Sequence, residues 1–354
     1  MRTLRFSAAL LCLSALATFC YAQSQELNLP RQSQHAVLTQ RIGITDITVN
    51  YHRPLTNGRK VFGGLIPYGQ VWRAGANENT TITFTDPVTI EGKSLAAGTY
   101  GLHMIPNENE WTIIFSNAST AWGSFTYKQE EDALRLNVKP ATTEACNALT
   151  YDFNQLKPDS AVLTMRWDKV AVPISIAVDV NKIVAASLQK QLRGLPQYDW
   201  QAWDDAANYF LNAKFDYDQG LKDVDHSIAM EERFENLDTK ANLLQAMGKT
   251  AEAKTAREQA LSKASAVQMY GYARQLLIQD HKQQEAFAVF HELIKKYPDA
   301  WVSHLAQARL ATGNGDYEQA VAQIKLSFNG APEQIKPQLE ALLKRLEAKE
   351  DINK

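Results

Sequence analysis

Near Val180 the hydrophobic period of this chain switches from that of a strand to that of a helix, and no single layer of structure accommodates both. Before the switch, Ile47, Val49 and Tyr51 alternate with Thr48, Asn50 and His52. Tyr100, Leu102 and Met104 alternate with Thr99, Gly101 and His103 in the same way. Turn signals recur at Asp86-Pro87, Glu91-Gly92, Pro106-Asn107 and Lys157-Pro158. Leu95 to Phe115 reads as strands joined by a hairpin loop at Asn107 to Glu110. Further strands fit Leu134–Lys139, Ala148–Asn154, Ala161–Asp168 and Val170–Val178. Many short strands between turns predict an antiparallel β-sandwich or jelly roll over residues 26–180. Its core face is expected to hold Ile47, Val49, Tyr51, Ile82, Phe84, Tyr100, Leu102, Met104, Trp111, Ile113 and Phe115, with His52 and His103 facing away from it.

After the switch, Ala, Leu, Gln, Lys and Glu dominate and an internal repeat emerges. Four segments align on a small residue, at Gly220, Ala253, Ala286 and Ala320, spaced 33, 33 and 34 residues apart. The last two also place a proline twelve residues on, Pro298 and Pro332. The pattern resembles tetratricopeptide repeats, helix–turn–helix units in which the small residue lets two helices approach closely. The first two repeats lack the proline. Leu339 to Ala348 is expected to form a final amphipathic helix over the last repeat. The second domain is thus expected over residues 181–350, giving a β + α chain of two domains.

The first 22 residues read as an export signal. Arg2 and Arg5 supply the charged start, Phe6 to Phe19 the apolar run, and Cys20-Tyr21-Ala22 a small-residue cleavage site. The apolar run is short for a membrane span and no second one follows, so a periplasmic or secreted protein is expected, without a membrane span. Phe19 argues against lipid anchoring through Cys20. Beyond the signal only Cys146 remains, so no disulfide within the chain is expected. A formal net charge of −2 gives no general attraction to nucleic acid or anionic membrane.

The segment from Tyr51 to Phe84, YHRPLTNGRKVFGGLIPYGQVWRAGANENTTITF, is the densest in Gly, Pro, aromatics and bases. No acid occurs between Asp46 and Glu78, while Arg53, Arg59, Lys60 and Arg73 all do. Together with IEGKSLAAGTYGLHMIPNENEWTIIFSN and AWGSFTY, this segment resembles the domain of unknown function family 2911, found in secreted proteins of the Bacteroidetes type, over about residues 28–180. The resemblance implies a fold and an export compartment, and it supplies no catalytic residue.

Two roles fit the segment. As a structural lid, its aromatics plug the end of the sandwich and its arginines satisfy loop carbonyls or Glu78. As a pocket, Arg53, Arg59 and Arg73 meet a small anionic ligand between Tyr68, Trp72 and Trp122, with Asn77, Glu78 and His103 nearby. Glu78 with His52 and His103 offers a metal set only in outline, because no close ligand pair supports it. Elbow serines, phosphate loops, zinc-protease helices and dinucleotide fingerprints are all missing from the sequence, and no cofactor is expected. The sequence reading is therefore an exported binding or scaffold protein whose repeats take a protein or peptide partner. The alternative is a hydrolase-like envelope enzyme with Glu78 or His103 as base and the arginines as anion clamps.

Overall fold

The computed structural model describes residues 29–354. The expected signal over residues 1–22 lies outside them. The described chain divides into two compact units, the first ending at Val178 and the second running Asp179–Lys354.

The first unit is built from ten strands: β1 (Gln34–Ile42), β2 (Thr45–Arg53), β3 (Thr81–Phe84), β4 (Val88–Ile90), β5 (Lys93–Leu95), β6 (Gly98–Ile105), β7 (Trp111–Ser116), β8 (Asp132–Val138), β9 (Ala141–Asn154) and β10 (Ser160–Ala177). They form a six-stranded sheet, β1-β2-β3-β6-β7-β8, and a four-stranded sheet, β5-β4-β10-β9, antiparallel throughout. Alternation along β2 buries Thr45, Ile47, Val49 and Tyr51 and leaves the residues between them partly exposed. All eleven residues expected on the core face are buried. The two sheets meet through aromatic edges. Tyr51 of β2 lies edge-on to Tyr151 of β9 at 4.8 Å, and Phe62 touches both Trp111 of β7 and Trp167 of β10.

Two strand expectations need correction. The runs Ala161–Asp168 and Val170–Val178 are one strand, β10, whose register against β9 shifts on either side of Asp168. Asp168 adopts a left-handed backbone (φ 54°), and the bulge absorbs what reads in sequence as a break. His103, expected on an open face, is 2% exposed. The outer face of β6 is covered there by Ser124 and Tyr127, from a segment with no strand period of its own.

The second unit is ten helices: α1 (Val180–Gln191), α2 (Trp200–Ala213), α3 (Tyr217–Met230), α4 (Phe234–Ala246), α5 (Thr250–Lys263), α6 (Ala266–Ile278), α7 (Gln283–Lys296), α8 (Trp301–Gly313), α9 (Tyr317–Ser327) and α10 (Lys336–Glu347). α2 packs on α3, α4 on α5, α6 on α7 and α8 on α9. Gly220, Ala253, Ala286 and Ala320 are each the fourth residue of the second helix of a pair, and each is buried. The reason is spatial. A Cβ on Gly220 would sit 3.0 Å from Phe210 Cβ and 3.2 Å from Leu243 Cδ2. The small residue therefore lets α3 approach its own partner α2 and also α4 of the next pair. The end of the stack is closed by Arg309, which donates to Tyr270 Oη (2.8 Å) and to the carbonyl of Ile352 (2.6 Å).

Ala286 lies in the largest core of this unit at 0% exposure. Ala286→Leu should therefore lower stability by about 1–3 kcal/mol through overpacking, read as a fall in the urea midpoint.

Two buried acids give the helical unit a pH signature. Asp204 on α2 leaves Oδ1 without a donor, and Asp223 on α3 takes Gln219 Nε2 at 2.8 Å. Burial is the main cause that raises both pKa values above the ordinary 3.8. Each group then binds its proton more tightly folded than unfolded. Their stabilising contribution is complete below 3.8 and is lost as pH rises through the raised values. Asp204→Asn should flatten that slope, as seen in denaturation midpoints taken across acid pH.

Candidate functional site at the end of the sheet domain

The acid-free segment crosses the end of the sandwich without forming a strand, yet it is stitched to β6. Trp72 N donates to Met104 O and Met104 N to Trp72 O, both at 2.8 Å. That pairing turns Trp72 into the core, where it stacks on Trp167 at 5.8 Å beside Phe62. In an extended segment the next side chain points the other way, so Arg73 faces outward.

The following loop is strained and firmly held. Ala74 and Asn77 both have left-handed backbones (φ 51° and 59°), a conformation costing about 1–3 kcal/mol each for residues other than Gly. Tyr151 Oη donates to Ala74 O (2.8 Å), Thr80 Oγ1 to the same carbonyl (3.2 Å), and Trp72 Nε1 to Gly75 O (3.1 Å). A Cβ at position 75 would lie 2.4 Å from Thr80 Oγ1, so only glycine fits there.

Beside this loop opens a cleft of ≈840 Å³. Its walls include Leu55, Leu65, Trp72, Arg73, Ser124 and Phe125. Arg73 is its distinctive charge. The guanidinium lies 5.5 Å from the Trp122 ring, and Gly123 admits it, since a Cβ there would sit 2.6 Å from Nη1. Its Nε is buried with no acceptor, and Arg73 makes no ion pair among the described residues. Burial pulls the Arg73 pKa down, against a smaller opposing pull from Glu78.

The other expected site residues divide. Arg59 also lines the cleft, but its Nε and Nη2 donate to Thr56 O (2.9 Å) and Leu55 O (2.7 Å). Arg53 turns to β9, donating to Leu149 O (3.0 Å) and Thr150 Oγ1 (2.7 Å). These two arginines hold the crossing segment together. Tyr68 does not line the cleft; its ring covers Gly63, where a Cβ would come within 2.8 Å. Asn77 Nδ2 donates to Ser33 O (3.4 Å). Glu78 pairs with Arg31 and lies 3.4 Å from His52 Nδ1. Trp122 stays 59% exposed and stacks on Phe125, which is 81% exposed.

His103 lies under the cleft with Nδ1 2.9 Å from Ser124 Oγ, and burial lowers its pKa to about 4. No hydrogen bond or ion pair among the described residues joins it to His52 or Glu78. Among the described residues no group of three or more His, Cys, Asp or Glu could hold a metal ion. Sequence reasoning missed Ser124, Phe125, Leu55 and Leu65. Only the aromatic–glycine–serine–aromatic run of AWGSFTY hinted at the first two.

The helical unit has a groove of its own, ≈1040 Å³, walled by α4 to α7. Arg257 crosses it, ion-paired to Asp238, donating to Asn242 Oδ1 (2.5 Å) and lying 4.6 Å from the Tyr272 ring. Among the described residues no helix is long and apolar enough to cross a membrane.

Residues 33–176 match a family model described as a protein of unknown function (DUF2911). That match coincides with the sheet domain, and the helical repeat domain follows it. No curated protein matches the chain. Among solved structures, the crystal structure of YrrB, a TPR protein with an unusual peptide-binding site, is similar over 46% of this chain and 84% of that one. The identity is 12% and the TM-score 0.29, too loose a likeness to carry any conclusion.

Tyr151→Phe removes the shortest hydrogen bond to the strained loop and leaves the Ala74 carbonyl with Thr80 alone. The expected cost is about 0.5–1.5 kcal/mol of stability. Faster amide exchange at residues 74–78 should accompany it in a hydrogen-exchange experiment.

Proposed function

We propose that this is an exported, periplasmic or secreted binding protein, with an anion-binding cleft in its sheet domain and a peptide-binding groove in its repeats. The observation that carries the reading is Arg73. A half-buried arginine whose Nε has no acceptor costs free energy, and an anion in the cleft meeting the rest of its guanidinium would offset that cost. The ligand has two parts. A carboxylate or phosphate reaches Arg73, and an apolar portion rests on Leu55, Leu65 and Phe125. Export is supported by the charged start, apolar run and small-residue site of the first 22 residues. A peptide partner for the repeats is supported by the ≈1040 Å³ groove itself, whose walls carry Tyr272, Met269 and Leu276 beside the Arg257–Asp238 pair.

The test is a thermal-shift series with small aromatic and aliphatic carboxylates and phosphates. Binding raises the melting point of the protein. Arg73→Ala should abolish the shift while leaving the unliganded melt close to that of the wild type, because no acceptor within the chain loses its donor. A lid role would show instead as a melt lowered by about 1–3 kcal/mol worth of stability with no ligand-induced shift in either protein.

A further inference from the structure

One pair in the cleft has a chemistry that binding does not use. Ser124 lines the cleft, and its hydroxyl lies 2.9 Å from Nδ1 of His103. A hydroxyl facing a cavity with an imidazole behind it is the arrangement of an activated nucleophile. We infer that Ser124 is an acyl-accepting nucleophile with His103 as its general base, acting on a small ester whose acid part carries an anionic group.

Three features of the surroundings support the assignment. First, His103 is 2% exposed, and burial lowers its pKa to about 4, so the imidazole is neutral at pH 7 and Nδ1 can accept from Ser124; burial disfavours the imidazolium, so the proton it takes is passed on within the same reaction rather than held. Tyr127 is the ring packed against it, at 5.4 Å. Second, if Nδ1 accepts from Ser124, the imidazole proton sits on Nε2. Nε2 lies 3.4 Å from where a Cβ on Gly101 would be, and the Asn79 side-chain amide nitrogen lies 2.4 Å from the same point. Asn79 Oδ1 is buried with no donor, and its amide nitrogen is spent on Ala118 O (3.2 Å). The Asn79 amide and Nε2 thus approach the same point above Gly101, and Asn79 Oδ1 is a buried acceptor still without a donor. Third, Arg73 shares the cleft wall with Ser124 and has no acceptor at Nε. It anchors the anionic end of the substrate while the acyl carbon reaches Ser124.

The step balances with water as the only co-reactant. Ser124 Oγ bonds to the acyl carbon as its proton moves to His103 Nδ1. The carbon–oxygen bond of the ester then breaks, and the leaving alkoxide takes that proton and departs as an alcohol. Water next gives a proton to His103 and its hydroxide to the acyl carbon. Ser124 leaves and recovers the proton, and a carboxylic acid is released. Nothing is oxidised or reduced.

This rests on the reading of the cleft as a ligand site, but the reagent that tests it need not carry a charge. The full-length protein is treated with diisopropyl fluorophosphate and followed by intact mass and peptide mapping. The expected result is one phosphoryl adduct at Ser124, absent in Ser124→Ala, and formed about 10²–10⁴-fold more slowly in His103→Gln. Should His103→Gln fail to fold, the wild-type pH profile answers the same question. With His103 as base, the labelling rate is flat from pH 8 to 6 and falls as pH approaches about 4. An unassisted hydroxyl would instead speed up in proportion to hydroxide. No adduct, an adduct elsewhere, His103→Gln labelling at the wild-type rate, or a rate proportional to hydroxide would each overturn the assignment. Retained carboxylate binding in an unlabelled protein would sink the nucleophile and leave the anion cleft standing.

Discussion

Two reciprocal hydrogen bonds between Trp72 and Met104 decide what the end of the sheet domain can be. The segment from Pro54 to Thr80 has too many glycines and prolines to form a strand by itself. Pairing at one residue with the middle of β6 gives it a local extended geometry, and alternation does the rest. Trp72 goes inward to complete an aromatic cluster with Phe62, Trp111 and Trp167, which ties the two sheets together. Arg73 goes outward, into the cleft. The left-handed turns at Ala74 and Asn77 follow, because the chain must reverse at once to enter β3. Tyr151, itself packed against Tyr51, holds that reversal from the opposite sheet.

The same logic sorts the arginines. A guanidinium near a backbone that has left regular structure finds free carbonyls, and Arg53 and Arg59 are spent in that way. Arg73 is held away from such carbonyls by the Trp72 pairing and by the Trp122 ring beside it. Arg53, Arg59, Trp72 and Tyr68 fasten the segment to the sandwich, and Arg73 borders the cleft beside Trp122 and Phe125.

Much of the architecture was legible because it rests on local period. The alternation of β2 and β6, the hairpin loop after Ile105, and the 33- to 34-residue spacing of the small helix residues each follow from one stretch of chain. The site was less legible because its partners are remote. The acceptors of Arg53 lie at Leu149 and Thr150, and nothing in the run around Arg53 points to them. His103 occupies an outward position by alternation, and only the irregular segment carrying Ser124 and Tyr127 makes it a buried residue. Asp168 looked like a strand end because a polar residue interrupts an apolar run, whereas a bulge carries the strand through it.

The two halves also differ in how far along the chain their decisive contacts reach. The sandwich closes through Tyr51 with Tyr151, 100 residues apart, and Tyr151 with Ala74, 77 apart. The repeats close through partners such as Tyr297 with Ala264, 33 apart, and Arg309 with Tyr270, 39 apart. Long-range closure slows folding and short-range closure speeds it. The sheet domain is made first but is the slower to close. When the whole chain refolds from the unfolded state, the helical repeats are therefore expected to close while β2 and β9 of the sandwich are still unjoined. The sheet domain is where unpaired strand edges stay open longest during that refolding.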